Sequence, residues 1–271
     1  MAYRMIVLDL DGTLTNSKKQ ITKRTKEALF EAQKQGIKVV LASGRPTYGI
    51  VPLSEELELD KYGSYILSFN GAQIRNEKTK EILFSQTLPM EMVDQLIDLA
   101  KEHQVDFLTY ENENIITNNS NNEYVTIEAN TNKMPVVKIQ NMRKHLTFPI
   151  PKMLMVGHGE YMATVEQKIQ EVMQGRLSIY RSEPFFLEVM AKGIDKAASL
   201  ERLLQHTGIK REEMIACGDG FNDLSMIKFA GLGVAMQNAQ EVVKQQADYI
   251  TDSNDEDGVA KVVETFLLKE R

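Results

Sequence analysis

The chain of 271 residues holds a single cysteine, so no intramolecular disulfide can form. Cys217 lies in an apolar run beside acidic residues, which favours a buried, inert thiol over a nucleophile. No apolar run approaches the ~18 residues that a membrane helix needs. The start, Met1-Ala2-Tyr3-Arg4, lacks the apolar region of a secretion signal. No membrane partner is expected, and a reducing cytoplasm is the expected compartment. Basic excess is missing too. The net charge is −6 and the pI about 5.4, which argues against a nucleic-acid partner. Four histidines, His103, His145, His158 and His206, lack metal-ligand spacing, and the chain has no internal repeat. What remains is 42% hydrophobic and 26% charged, the balance of a soluble globular protein of one large domain or two ordinary ones.

Two acidic segments break this plain pattern. The apolar run Met5-Ile6-Val7-Leu8 ends in Asp9-Leu10-Asp11-Gly12-Thr13-Leu14. Two hundred residues later Met214-Ile215-Ala216 leads into Cys217-Gly218-Asp219-Gly220-Phe221-Asn222-Asp223. Carboxylates at the end of a hydrophobic strand call for a partner, and a metal ion is the usual one. The two loops are read as one magnesium site assembled by a parallel sheet.

The first seventy residues alternate strand and helix. Thr22 caps a helix that ends at Gly36, with Leu29 and Ala32 inward. Strands are expected at 37–42 and 65–69. A hairpin turn at 76–80 then leads to short strands at 105–110, 115–117, 136–139, 152–156 and 177–180, with a few helices. From 186 the alternating pattern returns. Asp195 caps one helix and Asp257 the last, and the acidic run from Asp252 to Asp257 reads as a solvated loop. The expected fold class is α/β: a doubly wound, Rossmann-like parallel-sheet core at 1–83 and 186–271, with an inserted α+β domain at 84–185.

The chemistry follows from the loops. A carboxylate such as Asp9 can attack phosphorus, provided positive charge offsets the repulsion. Magnesium favours hard oxygens, and Asp9 and Asp219 suit it, with the Asp11 carbonyl as a third ligand. The Asp11 side chain is then placed to donate a proton to the leaving oxygen and later to activate water. Neighbouring carboxylates are expected to raise its pKa. The Leu10 amide, Ser43 and Gly44 form a plausible phosphate cradle. Lys196 supplies a fixed cation, Asn222 a donor to phosphate, and Asp223 a partner for Lys196. Four aspartates against one lysine argue for a divalent ion.

In order, Asp9-Leu10-Asp11-Gly12-Thr13-Leu14, Ser43-Gly44-Arg45-Pro46, Lys196 and Gly218-Asp219-Gly220-Phe221-Asn222-Asp223 match a family pattern. The chain resembles the haloacid dehalogenase-like hydrolases, and among them the Cof-type sugar phosphatases with an inserted α/β cap. The segments Asn70-Gly71-Ala72, Gly233 to Ala239 and Asp257 to Ala260 extend the resemblance. It implies Asp9 as nucleophile, Asp11 as general acid and base, and Ser43, Lys196 and Asn222 as phosphate ligands. It also implies Mg2+ on Asp9, Asp11 and Asp219, with Asp223 in support. The implied reaction is hydrolysis of small phosphorylated metabolites through an aspartyl phosphate. A phosphomutase of the same superfamily and a phospho-acceptor sensor module are the alternatives. The inserted domain is expected to fold over the crevice and exclude water. Arg45, Asn70, Glu111, Asn112, Tyr124 and Arg181 are the candidates for substrate choice.

Overall fold

Residues 2–268 are described by a computed structural model. The chain divides into two compact units, Met1–Phe84 with Asp195–Arg271, and Ser85–Ile194.

The discontinuous unit is built on an eight-stranded sheet. Its order is Tyr249–Ile250, Leu232–Ala235, Met214–Gly218, Met5–Leu8, Lys38–Ala42, Tyr65–Ser68, Gln73–Asn76 and Ile82–Ser85. The first six strands are parallel neighbours, and Gln73–Asn76 then pairs antiparallel with Tyr65–Ser68. Met5–Leu8 lies in the middle and is buried along its whole length, because layers cover both faces. Each such Leu, Ile or Val side chain contributes on the order of 1.5–3 kcal/mol by leaving water.

The helices start and stop where their cap residues dictate. Lys23–Lys34 begins at Thr22, whose hydroxyl accepts the Thr25 amide, and buries Leu29 and Ala32. Lys196–Thr207 begins at Asp195, which accepts the Ala198 amide, and closes on Gly208 at φ 65°. Asp257 departs from expectation. It occupies the cap position of Gly258–Phe266 in the left-handed region and makes no capping bond. Its carboxylate instead accepts the Thr22 hydroxyl, tying the first and last helices together.

The second unit has a six-stranded sheet ordered Leu177–Glu183, Phe186–Ala191, Lys152–Val156, Asp106–Glu111, Asn114–Thr117 and Val136–Lys138. The helices Met90–Glu102 and Gly159–Met173 bury Val93, Leu96, Met162, Val165 and Ile169 in a separate core with Met153 and Met155. The expected strand at 186 forms, but not in the expected sheet. Phe186–Ala191 pairs antiparallel with both Leu177–Glu183 and Lys152–Val156. The return to the first unit therefore comes at Asp195 rather than at residue 186. A mostly apolar strand, here with the one charge of Glu188, looks much the same whichever sheet it joins.

Candidate active site

Strand order reverses on either side of Met5–Leu8, and ligands of open α/β sheets bind beyond the carboxyl ends of strands at such a point. Leu8 lies in register with Cys217 on one side and Leu41 on the other. The next residues therefore emerge together: Asp9 from the first strand, Asp219 from the second and Ser43 from the third. The Asp9 amide continues the pairing by donating to the Cys217 carbonyl at 3.0 Å. Cys217 itself is fully buried, which pushes its thiol well above the ordinary range and leaves it unreactive.

Oxygens of Asp9, Asp219 and Asp223 all lie within 4.8 Å of one another. Lys196, 0% exposed, enters this group and donates to Asp9 Oδ1 at 2.6 Å and Asp223 Oδ1 at 2.5 Å. Burial alone would discharge the ammonium, but Asp223 and Asp9 outweigh it and hold its pKa above the usual lysine range. The other Asp223 oxygen accepts the amides of Asp219 and Gly220, each at 2.9 Å. Asp223 thus has both oxygens occupied and acts by holding Lys196 and the Asp219 turn. That turn needs Gly218, where a Cβ would meet the Asp223 Cβ at 2.5 Å.

Three buried or half-buried carboxylates face one ammonium, a net charge of minus two. Burial and Asp223 raise Asp9 well above its ordinary value, against the pull of Lys196. Burial and Asp223 likewise push Asp219 up to about 6. This donor set fits a divalent cation bound through oxygen. Asp9 and Asp219 are the residues that would hold it, because Asp223 is committed elsewhere. Thr13 orients Asp219 by donating to its Oδ1 at 2.7 Å.

Gly12 makes this approach possible. Its φ is +90°, and a Cβ there would lie 2.3 Å from Asp219 Oδ2. Gly12→Ala is expected to displace Asp219, destabilise the protein by about 1–3 kcal/mol and lower kcat/KM by ~10²-fold. Urea unfolding and steady-state kinetics check this, and a variant with wild-type values in both would contradict the placement.

Asp11 departs from its expected state. Arg45 grips it as a fork, Nε to Oδ2 at 2.7 Å and Nη2 to Oδ1 at 2.6 Å, and Lys19 Nζ reaches Oδ1 at 2.7 Å. Burial tends to raise its pKa, yet the Arg45 bonds and the Arg45 and Lys19 charges hold it below the usual carboxylate range. The expected rise from neighbouring carboxylates is therefore reversed. Arg45, expected among the substrate-choice residues, is instead the Asp11 partner. Lys19 went unread altogether. Its reach depends on the Asn16–Gln20 turn, where Asn16 Oδ1 accepts the amides of Lys18 and Gln20.

The residues expected to form a phosphate cradle have these neighbours. The Leu10 amide has no protein acceptor among the described residues. The Ser43 hydroxyl accepts the Arg45 amide at 3.2 Å, which leaves its own proton to donate. Asn222 Nδ2 bonds Asn70 Oδ1 at 3.1 Å, and Gly44 lies against the Asn70 carboxamide. The segment Asp252 to Asp257 is part-exposed to exposed, as expected of a solvated loop, and it also braces the loop after Asp9. Asn254 donates to the Thr15 carbonyl, Asp255 accepts the Ser17 amide, and Asn238 donates to the Gly12 carbonyl.

The candidates of the inserted unit sit elsewhere in the chain and are met by their own neighbours. Glu111 pairs with His145 at 2.8 Å, Arg181 with Glu166 at 2.8 Å, and Asn112 turns a hairpin at φ 53°. Tyr124 stacks on Phe185 beside a cleft of about 420 Å³ that Arg181 and His158 also line.

The family model of the haloacid dehalogenase-like hydrolases matches residues 6–263. A putative phosphatase of Bacillus subtilis, YxeH, is 33% identical over 98% of this chain and 99% of its own. A solved haloacid dehalogenase-like hydrolase from Bacteroides thetaiotaomicron superposes with a TM-score of 0.92 at 52% identity, over 97% and 98% of the two chains. The subclass IIB sugar phosphatase BT4131 superposes with a TM-score of 0.82 at 30% identity, over 97% and 98%. The family model's match over residues 6–263, with phosphatases similar along nearly their whole length, places the protein among the Cof-type haloacid dehalogenase-like hydrolases, enzymes that cleave phosphoric monoesters.

Proposed function

We propose that this chain is a magnesium-dependent phosphatase of small phosphorylated metabolites, sugar phosphates among them, acting through an aspartyl phosphate on Asp9. The observation that carries the reading is the convergence of Asp9, Asp219 and Lys196 at the ends of two adjacent parallel strands. The similarity to a sugar phosphatase along nearly the whole chain supports the substrate class.

In this reading an Asp9 carboxylate oxygen attacks phosphorus, and the ester oxygen departs. Lys196 holds the other Asp9 oxygen in place and offsets charge at the reacting centre. The amide of Leu10 and the side chains of Ser43 and Asn222 donate to phosphoryl oxygens. Magnesium, which Asp9 and Asp219 would hold, would supply positive charge that offsets the repulsion between carboxylate and phosphate. Asp11 protonates the leaving oxygen in the first step and takes a proton from water in the second. The Arg45 fork keeps Asp11 in its basic form, the form that the second step requires. For the first step Asp11 must carry a proton, so in this reading the fork is open at that step and closed for the second.

Phosphate release from p-nitrophenyl phosphate and from hexose phosphates, with magnesium and with chelator, tests the reading. Magnesium-dependent release supports it. Isomerised sugar phosphate without release would replace it with a mutase.

The carboxylate cluster also sets a pH dependence. Asp9 and Asp219 hold protons more tightly folded than unfolded, so without metal the protein loses stability as pH rises above the ordinary carboxylate range, the Asp219 share being lost through about 6. A bound cation removes that penalty. Magnesium is expected to raise the melting temperature by several degrees more at pH 7.5 than at pH 5. Equal increments at both values would contradict binding by these carboxylates.

A further inference from the structure

The turn after Tyr65–Ser68 carries two backbone conformations that nothing in the fold's connectivity requires. Phe69 has φ 53° and Asn70 φ 54°, so consecutive non-glycine residues occupy the left-handed region. The turn is held in that shape from several sides. The Phe69 amide donates to the Arg45 carbonyl and the Asn70 amide to the Ser43 carbonyl, both at 2.9 Å. The Ser199 hydroxyl donates to the Gly71 carbonyl at 2.6 Å, which pins the turn to the helix that begins at Lys196. Gly71 has to be glycine here, since a Cβ would fall 2.4 Å from Ser199 Oγ.

The strain places one side chain. Asn70 is 1% exposed, and its carboxamide lies between two residues of the phosphate cradle. A Cβ on Gly44 would sit 3.1 Å from its Oδ1 and 3.2 Å from its Nδ2. Its Oδ1 accepts Asn222 Nδ2 at 3.1 Å. The other end of the carboxamide, Nδ2, is buried without a partner among the described residues. Buried amide groups are almost always satisfied, and an orphan costs free energy. Strained backbone and an orphaned donor at the same residue, between Gly44 and Asn222, mark a group prepared for something that binds there.

We propose that Asn70 is a further substrate-contacting residue whose side-chain amide donates to an oxygen of the phosphoryl group held by Ser43 and Asn222. The assignment rests on the phosphatase reading above. A preorganised donor of this kind acts where charge develops on the transferring group.

Two variants separate this role from a structural one. Asn70→Gly suits the left-handed backbone and keeps the turn, but removes the donor. Asn70→Asp keeps an acceptor for Asn222 and also removes the donor. Both are expected to lower kcat/KM for p-nitrophenyl phosphate by ~10²-fold. Both are also expected to weaken inhibition by orthovanadate at least tenfold. The melting temperature of the glycine variant should equal or exceed that of the wild type. If glycine keeps wild-type kinetics, or if aspartate restores what glycine loses, Asn70 serves only the turn or only Asn222, and the assignment is overturned. A wild-type protein that neither hydrolyses phosphate esters nor binds vanadate would instead overturn the phosphatase reading beneath it.

Discussion

Asp9→Asn is expected to lower phosphate release by about 10⁴–10⁶-fold, the scale on which removal of a nucleophile acts when the remaining machinery stays in place. The substitution is nearly isosteric, and the Asn oxygen still accepts from Lys196 where Oδ1 now lies 2.6 Å away. Folding should therefore survive. Removing one of three crowded carboxylates relieves the repulsion from Asp223 and Asp219 that raises Asp9 in the native state. The melting temperature of the metal-free variant should equal or exceed that of the wild type. Loss of activity with stability kept identifies Asp9 as chemistry and not scaffold. Residual activity above about 1% of wild type would show that water attacks phosphorus without Asp9.

Lys196→Met is expected to cost both activity and stability. The side chain is fully buried and pairs with two carboxylates at once. Methionine fills a similar volume but leaves Asp9 and Asp223 facing each other without a cation. Breaking a buried pair from one side costs about 3–5 kcal/mol. Urea unfolding of metal-free protein should show a loss of that order. Lys196 also lowers the pKa of Asp9 against burial and Asp223. Without it Asp9 holds its proton to higher pH, so the acid limb of the pH–rate profile should move towards alkaline values. Turnover is expected to fall ~10³-fold. Magnesium should restore part of the stability and little of the turnover. An unchanged unfolding midpoint with an unmoved acid limb would contradict the role given to Lys196.

Much of this site was legible because its signals are local. An apolar strand that ends in Asp9 and another that leads to Asp219 need only a strand end to become a loop of carboxylates. Their meeting follows from one non-local fact, the parallel pairing of Met5–Leu8 with Met214–Gly218, which the α/β pattern implies without naming the partner strands. Lys196 was legible from its place after Asp195, a helix cap.

What escaped has physical reasons. The state of Asp11 depends on Arg45, 34 residues away, and on a turn that swings Lys19 back to it. Charge counting over the aspartates and Lys196 alone left out both cations. The boundary near 186 was missed because an apolar strand carries no label for its sheet. The run from Asp252 to Asp257 is solvated as its composition suggests, but composition does not show that Asn254 and Asp255 reach backbone groups of the loop after Asp9. Asn70 is legible as a substrate-choice candidate, but its orphaned amide and positive φ exist only once the chain folds.

The account stands most directly on a covalent bond from Asp9 to phosphorus. Borohydride reduces an acyl phosphate to an alcohol, and it leaves a free carboxylate alone. Protein quenched with borohydride during turnover of a hexose phosphate should carry homoserine at position 9 when its peptides are weighed by mass spectrometry. Asp11, Asp219 and Asp223 should be unchanged. An intact Asp9 under conditions of continuing turnover, or reduction at one of the other three instead, would contradict the account.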